Sequence, residues 1–295
     1  MFRVLGRLPL AALYRIADIV AALAYRLSPT TRANVEDNLR HVLPDAPQSR
    51  IDSLAKRIFR NVAYYYADLA HMPRMDPQNL LDERLTLRGV HEQLVPAHER
   101  GQGTIMLSGH YGNAELVGQA LVPLKIRGFA LTEPIEPERL RRMMNRIRSI
   151  HGVEFMSVGV PAVKRMLKCL RDGYTVALMG DRDIHGPRMR LPFFGEETWM
   201  PTGPIEVALK TGSPVFPSFS MRRGRYGMEA VLEKPLTVPN TGDVQSDVRE
   251  MALEYIAHLE RYLRKEPEQW MVLERIWDGA ELQPEPQREK EPATV

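Results

Sequence analysis

The chain has 295 residues, of which 44% are hydrophobic, so it can form a core as one large α/β domain or as two small ones. A formal net charge of +3 is too mildly basic to indicate nucleic-acid binding. The single cysteine, Cys169, excludes an internal disulfide framework and a thiolate metal cluster, and no His/Cys spacing suggests a metal site.

The first 30 residues form an apolar segment that basic residues interrupt repeatedly. The first 60 residues carry ten basic and five acidic residues, a net charge of +5. Arginines and one aspartate leave charge-free runs of only seven residues, whereas a spanning helix needs roughly 20. We therefore expect residues 1–30 to form a membrane-associating helix that lies on an anionic bilayer surface. A single-pass helix, and an amphipathic helix packed on the protein's own core, are both left open.

Beyond this segment, the hydrophobic pattern alternates between helices and strands. Helices are predicted over 48–70, 114–124, 137–150, 160–171, 203–211 and 244–263. Strands are predicted over 84–87, 104–108, 128–132, 174–179, 215–221 and 226–232, the last two paired with each other. The region 180–190 is interpreted as a polar loop. Such alternation predicts an α/β fold with a mainly parallel central sheet flanked by helices, over one domain from 31 to 278. Residues 279–295, which are rich in Pro, Glu and Gln, are predicted to be a disordered tail.

A histidine and a carboxylate follow the strand predicted over 104–108. His110 is placed at the carboxyl end of that strand, and Glu115 lies in the first turn of the next helix. Open α/β sheets place their ligand sites at this edge. The pattern predicts His110 as a general base and Glu115 as the carboxylate that orients it. The structural alternative is a capped turn with a hydrogen-bonded core histidine. A second match to the spacing, His71 to Asp76, ends a helix in a proline-containing loop and is not favoured.

Two further groups of charged residues can bind an anionic substrate. The helix over 137–150 carries five arginines, among them Arg148, which either form a solvated face or bind phosphate or carboxylate. Asp181, Arg182 and Asp183 follow the strand over 174–179 and emerge at the same sheet edge as His110. The alternative for these residues is a surface ion pair.

These motifs together resemble the lipid A late acyltransferases (lauroyl/myristoyl acyltransferases), within the glycerolipid or lysophospholipid acyltransferase superfamily. The resemblance extends from about Arg3 to Asp278. It rests on the segments 32–39, Gly109 to Glu115, 148–152, 181–183, 192–195, 200–204, 212–217 and 267–270. Two segments depart from the lipid A pattern: Asp181-Arg182-Asp183 replaces Asp-Gln-Asp, and Glu274-Arg275-Ile276-Trp277 replaces a His-Arg-Arg-aromatic end. Both departures are similar to the phosphatidylinositol mannoside acyltransferases.

The resemblance implies a glycerol-phosphate acyltransferase-like fold and an O-acyltransferase of the inner membrane's cytoplasmic face. His110 and Glu115 would be catalytic, and Arg148, Asp181, Arg182 and Asp183 would bind substrate. The acyl donor would be a thioester of acyl carrier protein or coenzyme A, and the acceptor a glycolipid hydroxyl, with no metal and no bound cofactor. Lipid A biosynthesis is the first expectation for the acceptor, and a phosphatidylinositol mannoside or another glycolipid or lysophospholipid is the alternative.

Two other classes of function remain open. A hydrolase on the same scaffold would release fatty acid to water even with acceptor present. A non-catalytic adaptor would use His110 and Glu115 structurally and bind membranes through the N-terminal segment. We also expect Phe193, Phe194 and Trp199 to help line an acyl groove, or else to be ordinary core residues.

Overall fold

The structure is a computed structural model that describes residues 8–182 and 186–277. The longer helices are α1 Leu10–Leu27, α2 Pro29–Val42, α3 Gln48–His71, α4 Ala114–Gly118, α5 Glu138–Arg148, α6 Val160–Arg171, α7 Gly203–Thr211 and α8 Val244–Lys265. Short helical turns cover Met72–Arg74, Pro77–Asn79, Leu80–Arg84, Val90–Leu94, Val95–Glu99, Gln119–Leu121 and Pro267–Gln269.

The strands are β1 Leu85–Arg88, β2 Thr104–Ser108, β3 Gly128–Thr132, β4 Glu154–Ser157, β5 Thr175–Met179, β6 Arg188–Phe193, β7 Glu196–Pro201, β8 Val215–Arg223 and β9 Gly227–Leu232. Within the described residues they form a seven-stranded sheet in the order β1-β9-β8-β2-β5-β3-β4, and a separate β6–β7 hairpin. All pairs of the large sheet are parallel except β8 with β9. The expected α/β fold with a mainly parallel sheet is confirmed.

Helices cover both faces of this sheet because its central strands are apolar on both sides. Ile105 and Leu107 of β2 pack in the same core cluster as residues of α6, α7 and α8. Met106, between them, packs with Phe216 and Leu121 on the other face. A strand buried on both faces cannot alternate apolar and polar residues, which explains the continuous apolar run at 104–108.

The N-terminal helices form a layer beside the sheet. Leu13 and Tyr14 of α1 pack in one cluster with Tyr64 and Ala67 of α3. The alternative that this helix packs on the protein's own core is therefore correct for one of its faces. Among the described residues, none of the helices is both long and apolar enough to cross a membrane.

The structure differs from the sequence expectations in several elements, including helix α2, which was not expected. The helix expected over 114–124 is α-helical only to Gly118 and continues as the helical turn Gln119–Leu121. Strand β4 was not expected. The loop expected over 180–190 was placed too long at its C-terminal end, because Arg188 already begins the β6–β7 hairpin. The predicted tail, 279–295, lies outside the described residues.

Candidate active site

His110 lies two residues beyond β2, and Asp181 two residues beyond β5, the strand paired in parallel with β2. Ser108 and Met179 are partners in that register, so the two side chains leave the same edge of the sheet side by side. Their approach leaves little room at position 109, because a Cβ on Gly109 would lie 3.2 Å from the Asp181 carboxylate, which is closer than an ordinary contact.

Asp181 holds His110 through two hydrogen bonds. The backbone N–H of His110 donates to Oδ2 at 2.7 Å, and the imidazole Nδ1 lies 2.8 Å from Oδ1. Trp270 Nε1 also donates to Oδ2, at 2.9 Å. Asp181 is fully buried. With Nδ1 engaged in this way, the imidazole keeps its Nε2 for a substrate.

The two groups shift each other's pKa. Burial alone would raise the pKa of the Asp181 carboxyl, but the charge and hydrogen bonds of His110 lower it below its usual value. Burial opposes the charged form of His110, but the Asp181 carboxylate outweighs burial and raises the pKa of His110 to about 9. Without substrate, the pair is therefore an imidazolium and a carboxylate at neutral pH.

The Nε2 side of His110 faces a second carboxylate. Glu133, directly after β3, places Oε1 3.6 Å from Nε2. Arg182 forms ion pairs with both Glu133 and Glu274. The His110 side chain is 28% exposed, so Nε2 remains accessible between these groups. Glu133 was not singled out from the sequence, although an acid directly after a predicted strand at this edge was a usable signal.

Glu115 does not orient His110 in the structure, contrary to the sequence expectation. Its Oε2 instead pairs with Arg148 Nε at 2.8 Å. Arg148 Nη2 donates to the Tyr65 hydroxyl at 2.9 Å, and the guanidinium is buried. Glu115 does not contact the imidazole because Asp181 already binds both the backbone N–H and Nδ1 of His110. Glu115 lies instead beside Arg148, the last residue of α5.

Arg148 retains one unused donor. Its Nη1 is buried and has no hydrogen-bond partner among the described residues. Arg148 and Glu115 both line the large cavity described next. A buried guanidinium N–H without a partner is costly, so it suits an oxygen atom of a bound substrate.

Two neighbouring cavities lie at this site. The larger, of about 1090 Å³, is lined by His110, Glu115, Glu133, Arg148 and Arg182 together with many apolar side chains. The smaller, of about 110 Å³, is lined mainly by apolar residues of the sheet, of α4 and of the helical turns Val90–Leu94 and Gln119–Leu121. The two cavities share the lining residues Ala114, Glu115, Leu131, Thr132 and Met179.

The three aromatic residues expected in an acyl groove are placed elsewhere. Among the described residues that line these two cavities, Phe193, Phe194 and Trp199 do not occur. Phe193 is fully buried and stacks on Trp277, with ring centroids 5.1 Å apart. The alternative of an ordinary core role is the better one for Phe193. Asp183, the remaining predicted site residue, lies outside the described residues.

Fold and site together describe an α/β protein in which His110, paired with Asp181, lines a large cavity beside a smaller, mainly apolar one. Comparison with known proteins identifies the class further. The profile of the bacterial lipid A biosynthesis acyltransferases matches residues 1–278, and the chain belongs to that family. It is therefore an acyltransferase, as the sequence motifs predicted, and not a non-catalytic adaptor.

Two similar proteins come from mycobacteria. The chain is 28% identical over 244 residues to a phosphatidylinositol mannoside acyltransferase of Mycolicibacterium smegmatis, covering 81% of this chain and 77% of that protein. It is 25% identical over 244 residues to the phosphatidylinositol mannoside acyltransferase of Mycobacterium tuberculosis (strain CDC 1551 / Oshkosh), covering 81% and 75%. The similarity to this second group, expected from the sequence, is confirmed.

Proposed function

We propose that this protein transfers a fatty acyl chain from a thioester to a hydroxyl group of a glycolipid at a membrane surface. The observation that carries the proposal is the His110–Asp181 pair, which lies at a large cavity that shares wall residues with a smaller apolar one. This arrangement offers a base for a hydroxyl and separate space for an apolar chain.

In the proposed reaction, neutral His110 accepts the proton of the acceptor hydroxyl at Nε2 while that oxygen attacks the thioester carbonyl carbon. A C–O bond forms and the C–S bond breaks, and the imidazolium returns its proton to the leaving thiolate. Asp181 holds the imidazole tautomer and stabilises the imidazolium. It takes the role that the sequence motif had suggested for Glu115.

Glu115 then acts through Arg148. The Glu115–Arg148 pair holds the guanidinium at the cavity wall, and its unpartnered Nη1 would bind an anionic or carbonyl oxygen of one substrate. Arg182 is the second candidate for binding a phosphate of the acceptor or of the donor's phosphopantetheine. The thioester carbonyl oxygen becomes an oxyanion when the hydroxyl attacks, and hydrogen-bond donors stabilise it. The Gly112 N–H is not available as such a donor, because it donates to the Gln269 carbonyl at 2.7 Å.

The small cavity is proposed to receive the end of the acyl chain. Its lining includes Leu121, Phe129, Val153 and Phe155, all buried. An alkyl chain gains free energy on entering such a site in proportion to the apolar area that it removes from water, about 25 cal/mol per Å².

Membrane association is proposed for the outer face of α1. Its exposed large apolar residues are Ile16, Ile19, Val20, Leu23 and Leu27. Their spacing of three and four residues places them on one stripe. We propose that this stripe enters the headgroup region of the inner membrane from the cytoplasmic side, as an interfacial helix.

The acceptor is proposed from the family and its relatives. Family membership supports a lipid A precursor, and the mycobacterial relatives support a phosphatidylinositol mannoside, as their names state. The donor is an acyl carrier protein or coenzyme A thioester, and no metal or bound cofactor takes part in the proposed reaction.

An acyl-transfer assay in detergent tests this proposal. Wild type, His110→Ala and the surface control His91→Ala each receive both thioesters with either acceptor, and mass spectrometry reads the products. We expect an acylated glycolipid from wild type and His91→Ala, and none from folded His110→Ala. Free fatty acid as the main product would favour the hydrolase, since the partly exposed imidazole could also activate water. No transfer to either acceptor would refute the proposed substrates.

A further inference from the structure

A buried polar cluster connects helix α1 with the loop that carries His110. At its centre is Asp68 of α3, which is 2% exposed. Its carboxylate accepts hydrogen bonds from the Tyr14 hydroxyl of α1 and the Arg222 guanidinium of β8. Asn113 Nδ2 donates to it at 3.0 Å, and Arg84 Nη2 lies 3.9 Å away. One side chain thus joins α1, α3, β8 and the segment 109–113 between β2 and α4, which we call the catalytic loop.

Asn113 is the member of the cluster that reaches the active site. It is the N-cap of α4, and its Oδ1 accepts from the Leu116 N–H at 3.0 Å while its Nδ2 donates to Asp68. Because both halves of the amide are used, its orientation is fixed. His110 lies three residues before it and Glu115 two residues after it, so Asn113 anchors the segment between the two.

Arg222 supports the same segment by a second route. Its backbone N–H donates to Gln269 Oε1 at 3.0 Å, and its carbonyl accepts from Gln269 Nε2 at 3.2 Å. The Gln269 carbonyl in turn accepts the Gly112 N–H. The catalytic loop is therefore held from both sides by residues that contact Arg222 or Asp68.

We infer that Asp68 is a positioning residue for acyl transfer, acting through Asn113, and that Tyr14 makes helix α1 part of the same unit. The inference rests on the proposed function, because the geometry that the cluster serves is that of His110 against its substrates. A small misplacement of catalytic groups by a change away from the chemistry can cost roughly 10²-fold in rate. A merely structural ion pair would affect stability alone.

A matched pair of variants separates these roles. Tyr14→Phe and Tyr64→Phe each remove one hydroxyl that bridges α1 and α3, since Tyr64 donates to Asp18 at 2.7 Å. Of these two hydroxyls, the one of Tyr14 donates to Asp68 and the one of Tyr64 donates to Asp18. We expect both variants to lower the melting temperature similarly, and only Tyr14→Phe to lower kcat, by several-fold with KM unchanged. Equal kcat values for the two variants would overturn the inference.

A double-mutant cycle tests whether Asp68 acts through Asn113. Asp68→Asn is expected to lower kcat by roughly 10²-fold in the wild-type background. In the Asn113→Ala background its effect on kcat should be much smaller, because coupled residues are not additive and only the route through Arg222 remains. An undiminished loss in that background would contradict the proposed route.

Hydrogen exchange of the free, full-length protein keeps this inference separate from the proposed function. Asp68→Asn and Tyr14→Phe should accelerate amide exchange over residues 110–118, and Tyr64→Phe should not. If wild type transfers no acyl group but this exchange pattern holds, the positioning of the loop stands and the proposed reaction fails. Unchanged exchange over 110–118 in folded Asp68→Asn would overturn the inference whatever the activity.

Discussion

His110 and Asp181 form a pair in which each side chain changes the protonation of the other. A base must be neutral to accept a proton, and the pKa of His110 is raised to about 9. The free enzyme should therefore gain activity as pH rises towards that value, because the fraction of neutral imidazole increases. Substrate binding beside Glu133 and Arg182 should shift the protonation equilibrium of His110, since Glu133 lies 3.6 Å from Nε2 and the charge of Arg182 lowers the pKa of His110.

Replacement of Asp181 by Asn tests this pair directly in kinetics. We expect kcat/KM to fall on the order of 10³-fold or more, because the imidazole loses the group that fixes its tautomer and stabilises its charge. The residual activity should rise with pH through a lower midpoint than wild type, since the nearby negative charge is gone. Asp172→Asn, at a partly exposed acid paired with Lys168, is the control. An unshifted midpoint would contradict the assignment.

Replacement of Glu115 by Gln tests its separate role. Because Glu115 contacts Arg148 and not His110, the pH midpoint of kcat/KM should remain that of wild type. KM for one substrate should rise by about tenfold or more, as expected when a charge pair that holds a binding group is weakened. Glu138→Gln, at an exposed acid paired with Arg142, is the matched control. A shifted midpoint would instead support contact between Glu115 and His110.

The sequence predicted where the site lies, but it did not predict which of the site's side chains contact each other. The spacing of His110 and Glu115 was visible because both follow one strand. Whether an imidazole turns towards Glu115 or Asp181 depends on the pairing of β2 with β5, whose residues are 71 positions apart. Spacing along the chain carries no information on such a tertiary choice.

Helix α4 forms part of the wall of the small apolar cavity, and one of its positions is open. A Cβ on Gly118 would meet no atom within 4 Å, although Gly118 lines that cavity. Gly118→Leu should therefore fill the cavity without a backbone clash. We expect the preferred acyl thioester to become shorter by several carbons, while turnover with the shortest donors is retained. Competition among donors of different chain length, read by mass spectrometry, measures this shift, and an unchanged preference would exclude the cavity as the acyl site.

Elements that form continuous buried apolar runs were predictable from the sequence, and elements that mix polar and apolar residues were not. Strands β2, β3 and β5 are buried apolar runs and were placed within a residue. The β6–β7 hairpin alternates charged residues with Leu191 and Phe193, and its turn requires positive φ at Phe194, which few side chains adopt. Because the turn begins with Phe194 and not with glycine, asparagine or aspartate, the sequence lacks the usual signal of a two-residue hairpin turn.

For the whole molecule, α3 connects helix α1 to the candidate active site. Tyr64 and Asp68 face α1, while Tyr65 between them lines the large cavity. The fold class followed from the alternation of elements along the chain. The packing of the N-terminal helices could not be predicted in this way. Helix α1 carries apolar residues on two faces, and only the structure shows which face meets α3.

The exposed stripe of α1 should govern binding to vesicles. Ile19→Asp with Leu23→Asp is expected to weaken binding to anionic vesicles at least about tenfold, given the free energy of burying one large aliphatic side chain. Activity on detergent-dispersed substrates should be retained. Val238→Asp changes a comparably exposed residue away from α1 and serves as the control in a vesicle sedimentation assay. Equal binding by both variants would exclude this stripe as the membrane contact.

The central claim is that Asp181, and not Glu115, holds the catalytic imidazole. The most direct test is an NMR titration of His110 in wild type, Asp181→Asn and Glu115→Gln. We predict a wild-type pKa near 9, a clearly lower pKa in Asp181→Asn, and a wild-type value in Glu115→Gln. A pKa that falls in Glu115→Gln and stays high in Asp181→Asn would contradict this account of the site.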